Sequence, residues 1–193
     1  MGRLDDLERF YNLLGELSRK VGGYRRLSEC NGQMGWPQRG VYFFFEPGEL
    51  REDGRTPRVV RVGTHALKTG ARSTFWGRLA QHKGHSGGFS PGGGNHRGSV
   101  FRLHVGTALL NTRAYPPEVG ANWEQGQNAP PAVKASEYAL ERDVSQYIGQ
   151  MPFLWVDVPD EAGPHSDRGL IEVGAVALLS NYEKPPIGAC VCN

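Results

Sequence analysis

Residues 40–63 read GVYFFFEPGELREDGRTPRVVRVG, and this stretch decides the fold. Its opening run, GVYFFFE, is aromatic and too short for a helix, which marks a buried strand. PGELREDGR is turn material, and the Val59, Val60, Arg61 and Val62 run reads as the returning strand. Two strands joined by a polar loop form an antiparallel hairpin, so Tyr42 and Arg61 are expected as near neighbours on one sheet.

Outward from the hairpin, residues 4–20 place Leu4, Leu7, Phe10, Leu13, Leu14 and Leu17 at spacings of three and four. That is one face of an amphipathic helix, stopped by Gly22 and Gly23. Ser73 or Thr74 can cap a second helix carrying Trp76, Arg78, Leu79 and His82 and ending at Gly84. Residues 85–98, HSGGFSPGGGNHRG, are so rich in glycine that a loop is expected. SVFRLHVGTALL reads as a strand running into a short helix, and residues 111–132 as mostly irregular. SEYALERDVSQYIGQ reads as a helix capped by Ser136. PFLWVDV, residues 153–158 from its phenylalanine, is the third clear strand; Ser166 or Asp167 then caps a helix carrying Leu170, Ile171, Val173, Val176, Leu178 and Leu179. The expected fold is α/β (α+β), a small antiparallel or mixed sheet flanked by helices.

A chain of 193 residues with 38% apolar and 10% aromatic content fits one domain with elaborations. No apolar run approaches the roughly 20 residues a bilayer span needs, and the start, MGRLDDLERF, is charged where a signal peptide would be apolar. Cys30, Cys190 and Cys192 are odd in number and lack C-x-x-C spacing, which argues against a disulfide framework or a thiolate zinc site. A soluble protein of the reducing cytoplasm, with no membrane partner, is expected. The net charge of +2 does not by itself imply nucleic acid. Its distribution says more: Lys83, His85, His96, Arg97, Arg102 and His104 occur with no acid among them, whereas Asp157, Asp160 and Glu161 cluster later.

The chain order strand, strand, helix, insertion, strand, helix carries particular residues at particular places, and these resemble the GIY-YIG nuclease family. Gly40-Val41-Tyr42 matches that family's Gly-aliphatic-Tyr motif on the first strand. At the second motif, Tyr-aliphatic-Gly, this chain has Arg61, Val62 and Gly63, with arginine in place of tyrosine. Arg78 and His82 match the family's Arg-x-x-x-His/Tyr on the next helix, and Glu172 and Asn181 match its metal-binding Glu and terminal Asn. The resemblance covers residues 38–84 and 153–182, with a helical extension over residues 1–35 and an insertion over residues 85–152.

The resemblance implies an endonuclease that hydrolyses DNA phosphodiester bonds with Mg²⁺ or Mn²⁺. Glu172 offers a hard oxygen ligand, which suits a cation that keeps most of its waters. Arg78 offers a fork of donors for the scissile phosphate. His82, one turn away, can orient water or Tyr42 or take up a proton. Tyr42 is the implied general base; a phenol with an ordinary pKa near about 10 needs neighbouring positive charge to act at neutral pH, and Arg61 is placed to add some. In the insertion, Arg97 and Arg102 are read as phosphate contacts, with Asn95 or His96 reaching a base edge or strand; Lys83 and Asn181, outside it, are also read as DNA-binding. The large insertion resembles the restriction-enzyme branch, whose members read a short sequence and act as dimers, so a homodimer with a defence role is the analogy drawn.

Glu137 and Glu141 are rivals for the metal but read as surface charges. A zinc site from His82, His85, His96 and His104 is disfavoured by irregular spacing, and the glycines near residue 93 lack the Gly-Lys-Ser/Thr end of a phosphate loop. Two other readings stay open. Arg61 in place of the second tyrosine allows a non-catalytic nucleic-acid-binding module of the same fold, and the near-neutral charge allows a hydrolase or metal-binding protein unrelated to nucleic acids. The chain ends at Cys190-Val191-Cys192-Asn193 with no closing element, so a partner or further sequence is expected to complete the site.

Overall fold

The computed structural model describes residues 2–84, 93–180 and 191–192. Its chain divides into two compact units, one made of Met1–Arg26, Cys30–Trp76 and Met151–Asn193, the other of Leu27–Glu29 and Gly77–Gln150.

The first unit is built on an antiparallel sheet. Its strands are β1 (Arg25–Arg26), β2 (Gly40–Leu50), β3 (Pro57–Gly63), β4 (Pro152–Asp157) and β5 (Val191–Cys192). The order is β1-β4-β2-β3, with β5 paired to the far end of β2, and every pairing is antiparallel. The hairpin expected from residues 40–63 is present, with Tyr42 opposite Gly63 and Phe44 opposite Arg61. A register shift follows at once, because Phe45 pairs with Val59 and leaves Val60 as an extra residue, 41% exposed. Such a bulge resets which face each side chain takes. It sends both Val59 and Val62 to one face while Arg61 stays on the other with Tyr42.

One face of the sheet is aliphatic and covered by helices. Val41, Phe43, Phe45, Val59, Val62 and Leu154 pack against Leu7, Tyr11 and Leu14 of α1 (Arg3–Val21) and Ala175 of α7 (Asp167–Leu179). Helix α1 is amphipathic as expected, with Asp5 and Asp6 in its first turn and Arg19 and Lys20 in its last, both favourable to the helix dipole. The cap of α7 is Ser166, whose side chain accepts from the Gly169 amide at 3.3 Å. The opposite face is aromatic: Tyr42, Phe44, Phe153 and Trp155 from the strands meet Trp36 and Phe75.

The second unit is helical. After Gly77–Lys83, the continuation of α2 (Phe75–Lys83), it contains α3 (Val100–Thr112), α4 (Pro117–Asn122), α5 (Pro131–Ser136) and α6 (Tyr138–Gln150). Two local readings are corrected here. Residues 99–110 do not begin as a strand; the Ser99 side chain accepts from the Arg102 amide and α3 runs from Val100. Ser136 is not an N-cap but the last residue of α5, donating its hydroxyl proton to the Val133 carbonyl. The prolines Pro117 and Pro131 start their helices, where a missing amide proton costs nothing. Among the described residues no helix is long and apolar enough to cross a membrane.

Candidate active site

The first unit holds Tyr42, Arg61 and Glu172. Tyr42 is fully buried, flanked edge-on by Phe44 and Phe75 at ring separations of 5.6 and 6.2 Å. Its ring lies over Gly63: a Cβ there would sit 2.7 Å from the ring's Cε2 and closer still to its hydroxyl. Any larger residue at position 63 would therefore displace the phenol. Arg61 is half-buried on β3, diagonal to Tyr42 on the same face.

Glu172 lies midway along α7 and is half-buried. The apolar residues beside it do not bury it: Leu170, Ile171, Val173 and Val176 are 67, 37, 68 and 48% exposed. The helix instead turns Arg168, Gly169 and Ala175 inward. Arg168, one turn before Glu172, is committed elsewhere, to the Asp160 carboxylate and the carbonyls of His65 and Glu161. Glu172 has no hydrogen-bond or ion-pair partner among the described residues. A partly desolvated carboxylate with no protein cation beside it fits a divalent metal ligand. No group of three or more His, Cys, Asp or Glu that could hold a metal is found among the described residues.

Sequence reasoning passed over His65. It lies two residues beyond Gly63, is buried at 6% exposure, and packs edge-on against the same Phe75 ring that flanks Tyr42. Its Nδ1 faces the Ser73 carbonyl at 3.0 Å, and since a carbonyl only accepts, Nδ1 carries the proton. The alternation Arg61, Gly63, His65 was available in the sequence as a signal.

Arg78 and His82 belong to the second unit. Arg78 is half-buried; its Nη1 donates to the Gln81 side chain at 2.8 Å and the Gly98 carbonyl at 3.2 Å, leaving Nε and Nη2 without acceptors among the described residues. His82 is fully buried, with Nδ1 2.7 Å from the Ser99 hydroxyl and its ring edge-on to Phe101.

Arg102, His96 and Arg97, expected as DNA contacts, are turned inward onto carboxylates of this unit. Arg102 is fully buried and donates to the Glu141 carboxylate, the His82 carbonyl and Ser145. His96, at 4% exposure, stacks on Trp123 and shares the Glu141 carboxylate through Nδ1 at 2.9 Å. Arg97 makes a two-pronged ion pair with Glu137 at 2.7 and 2.9 Å. Buried ions of one sign demand partners of the other, so Glu137 and Glu141 are core counter-charges and not the surface acids the helix pattern suggested. Burial on its own would raise the Glu141 pKa; the hydrogen bond from His96 and the charge and hydrogen bonds of Arg102 outweigh it and hold the pKa below its ordinary value. Asn95 is exposed, but its side-chain oxygen caps the turn at His96–Gly98 by accepting from the Arg97 amide. Lys83 is half-buried, and Asn181 lies outside the described residues.

A family model describing the GIY-YIG domain matches residues 1–192. No curated protein and no solved structure matches the chain. With the match spanning nearly its whole length, the chain belongs to the GIY-YIG nuclease superfamily.

Proposed function

We propose that this protein is a divalent-cation-dependent endonuclease that hydrolyses DNA phosphodiester bonds. The observation that carries the reading is the pairing of the two motif strands at Tyr42 and Gly63, in the same unit as a half-buried Glu172 that has no cationic partner among the described residues. Tyr42 takes the proton of the attacking water. Arg61, on the same face, favours the phenolate through its charge. Glu172 would hold Mg²⁺ or Mn²⁺, which when bound would supply neutralisation of the charge developing on the phosphate. Separately, in the second unit, the Arg78 Nε and Nη2 donors, without acceptors among the described residues, suit a phosphate oxygen pair. By analogy with the restriction-type branch, the protein would read a short sequence and act as a homodimer in defence.

The second reading, a DNA-binding module that does not cut, is favoured by the zero exposure of Tyr42 and His82 and by Arg61 at the second motif. Purified protein incubated with supercoiled plasmid, with and without Mg²⁺ or Mn²⁺, separates the two. The nuclease nicks only with the cation and loses nicking in Tyr42→Phe and Glu172→Ala. Retardation of DNA without cutting under every condition assigns the protein to the binding module, and the fragment pattern on long linear DNA shows whether a sequence is read.

A further inference from the structure

The aromatic face of the sheet carries more than Tyr42. Cross-strand pairing lines up Arg25, Phe153, Phe44 and Arg61 straight across β1, β4, β2 and β3, and sets Trp155, Tyr42 and Gly63 in the adjoining row. Neither row contains a carboxylate; Asp157, two residues beyond Trp155, bounds the face at one end. Phe44, Phe153 and Phe75 are fully buried and form its floor. Three tryptophans above them, Trp36, Trp76 and Trp155, stay half-buried.

These tryptophans are held in place rather than merely filling space. Trp36 and Trp76 stack with centroids 5.5 Å apart and 13° between planes, and Trp36 meets Trp155 edge-on at 5.1 Å. The Trp36 indole donates to the Asn31 carbonyl at 2.8 Å. Gly32 makes room for Trp76, because a Cβ there would stand 2.7 Å from its indole nitrogen. Arg25 is exposed at the sheet edge, with its guanidinium 5.5 Å from the Trp155 ring centre and no hydrogen bond among the described residues. An exposed arginine over the Trp155 ring, beside half-buried indoles that Trp36 ties together by stacking on Trp76 and Phe153, suits single-stranded nucleic acid: the cation takes a phosphate and exposed ring surface takes bases, whose faces are available only when unpaired.

We propose that this face is a binding track for unpaired DNA, with Arg25 on a backbone phosphate and the Trp36, Trp76 and Trp155 cluster stacking nucleobases beside Tyr42. The substrate class is then DNA that presents a single-stranded segment. Its role in cleavage rests on the nuclease reading, but strand binding does not.

The test is tryptophan fluorescence of the full chain without divalent cation, titrated with an oligothymidine of about twelve nucleotides and with a duplex of equal length. The single strand quenches emission and binds more tightly than the duplex; Trp123, 1% exposed in the other unit, remains as unquenched background. Trp36→Leu weakens single-strand binding about fivefold or more while Trp36→Phe, which keeps a ring face, retains most of it. Arg25→Gln, at an exposed edge where folding is not at stake, lowers the salt slope by about 0.7. Equal affinity for both DNA forms, or binding unchanged in Trp36→Leu and Arg25→Gln, overturns the track. Cation-dependent plasmid nicking is scored separately: nicking without quenching overturns the track alone, and quenching without nicking overturns the nuclease reading alone.

Discussion

Gly63 sits directly across the β2–β3 ladder from Tyr42 and beneath its ring, so the glycine of the second motif shapes the seat of the tyrosine of the first. Gly63→Ala should therefore cost about 1–3 kcal/mol by overpacking and reduce nicking as well. In a Tyr42→Ala background the same substitution should cost far less, since the ring it strikes is gone. Denaturant melts of the four proteins in a double-mutant cycle measure that coupling; additive costs would remove the steric account.

Glu172→Ala is expected to leave stability within about 0.5 kcal/mol, as for other substitutions that break no internal contact. It should abolish nicking and also the rise in melting temperature that Mg²⁺ or Mn²⁺ gives the wild type by binding the native state. A variant that still gains stability from the cation places the metal elsewhere.

Arg61→Ala removes the positive charge nearest in the ladder to the Tyr42 phenol. The limb of the cleavage profile that rises with pH as the base loses its proton should move upward by about one pH unit, about a tenfold loss at neutral pH. An unchanged profile means that the charge does not reach the phenol.

Arg102→Met leaves Glu141 buried without its main counter-charge and should cost about 3–5 kcal/mol. Because Arg102 faces inward, the salt slope of DNA binding should not change. A variant of normal stability with a reduced slope would restore the phosphate role expected from the sequence.

Acid should unfold the protein through its paired carboxylates. Glu141 and Asp160 are held below their ordinary values of 4.5 and 3.8; burial opposes this in both, and the bonds from His96 and Arg102 in one case and Arg168 in the other prevail. Groups with a depressed native pKa contribute stability above the unfolded value and lose it as pH falls through the native one. The melting temperature should thus hold through neutral pH and drop once pH passes below the ordinary carboxylate range. Glu141→Gln should melt lower at neutral pH and respond less to acid.

The sequence by itself determined the elements whose pattern is local. The aromatic run at residues 40–46, the leucine spacing of α1 and the pairing of the strands that carry Tyr42 and Gly63 were legible because strand length, helical period and turn chemistry are written along the chain. The helix starts at Ser99 and Pro131 were not, since a short polar segment between apolar residues suits several local structures and packing chooses among them. Only the tertiary structure decided where charges point. Arg97, Arg102 and His96 read as a basic loop, yet Glu137 and Glu141, some forty residues on, draw them into the core. The bulge at Val60 likewise decided that Arg61 shares a face with Tyr42. Side-chain charge is a property of the sequence, but its desolvation and its partner are set by residues distant along the chain, and these determine whether a cation meets a phosphate or a carboxylate.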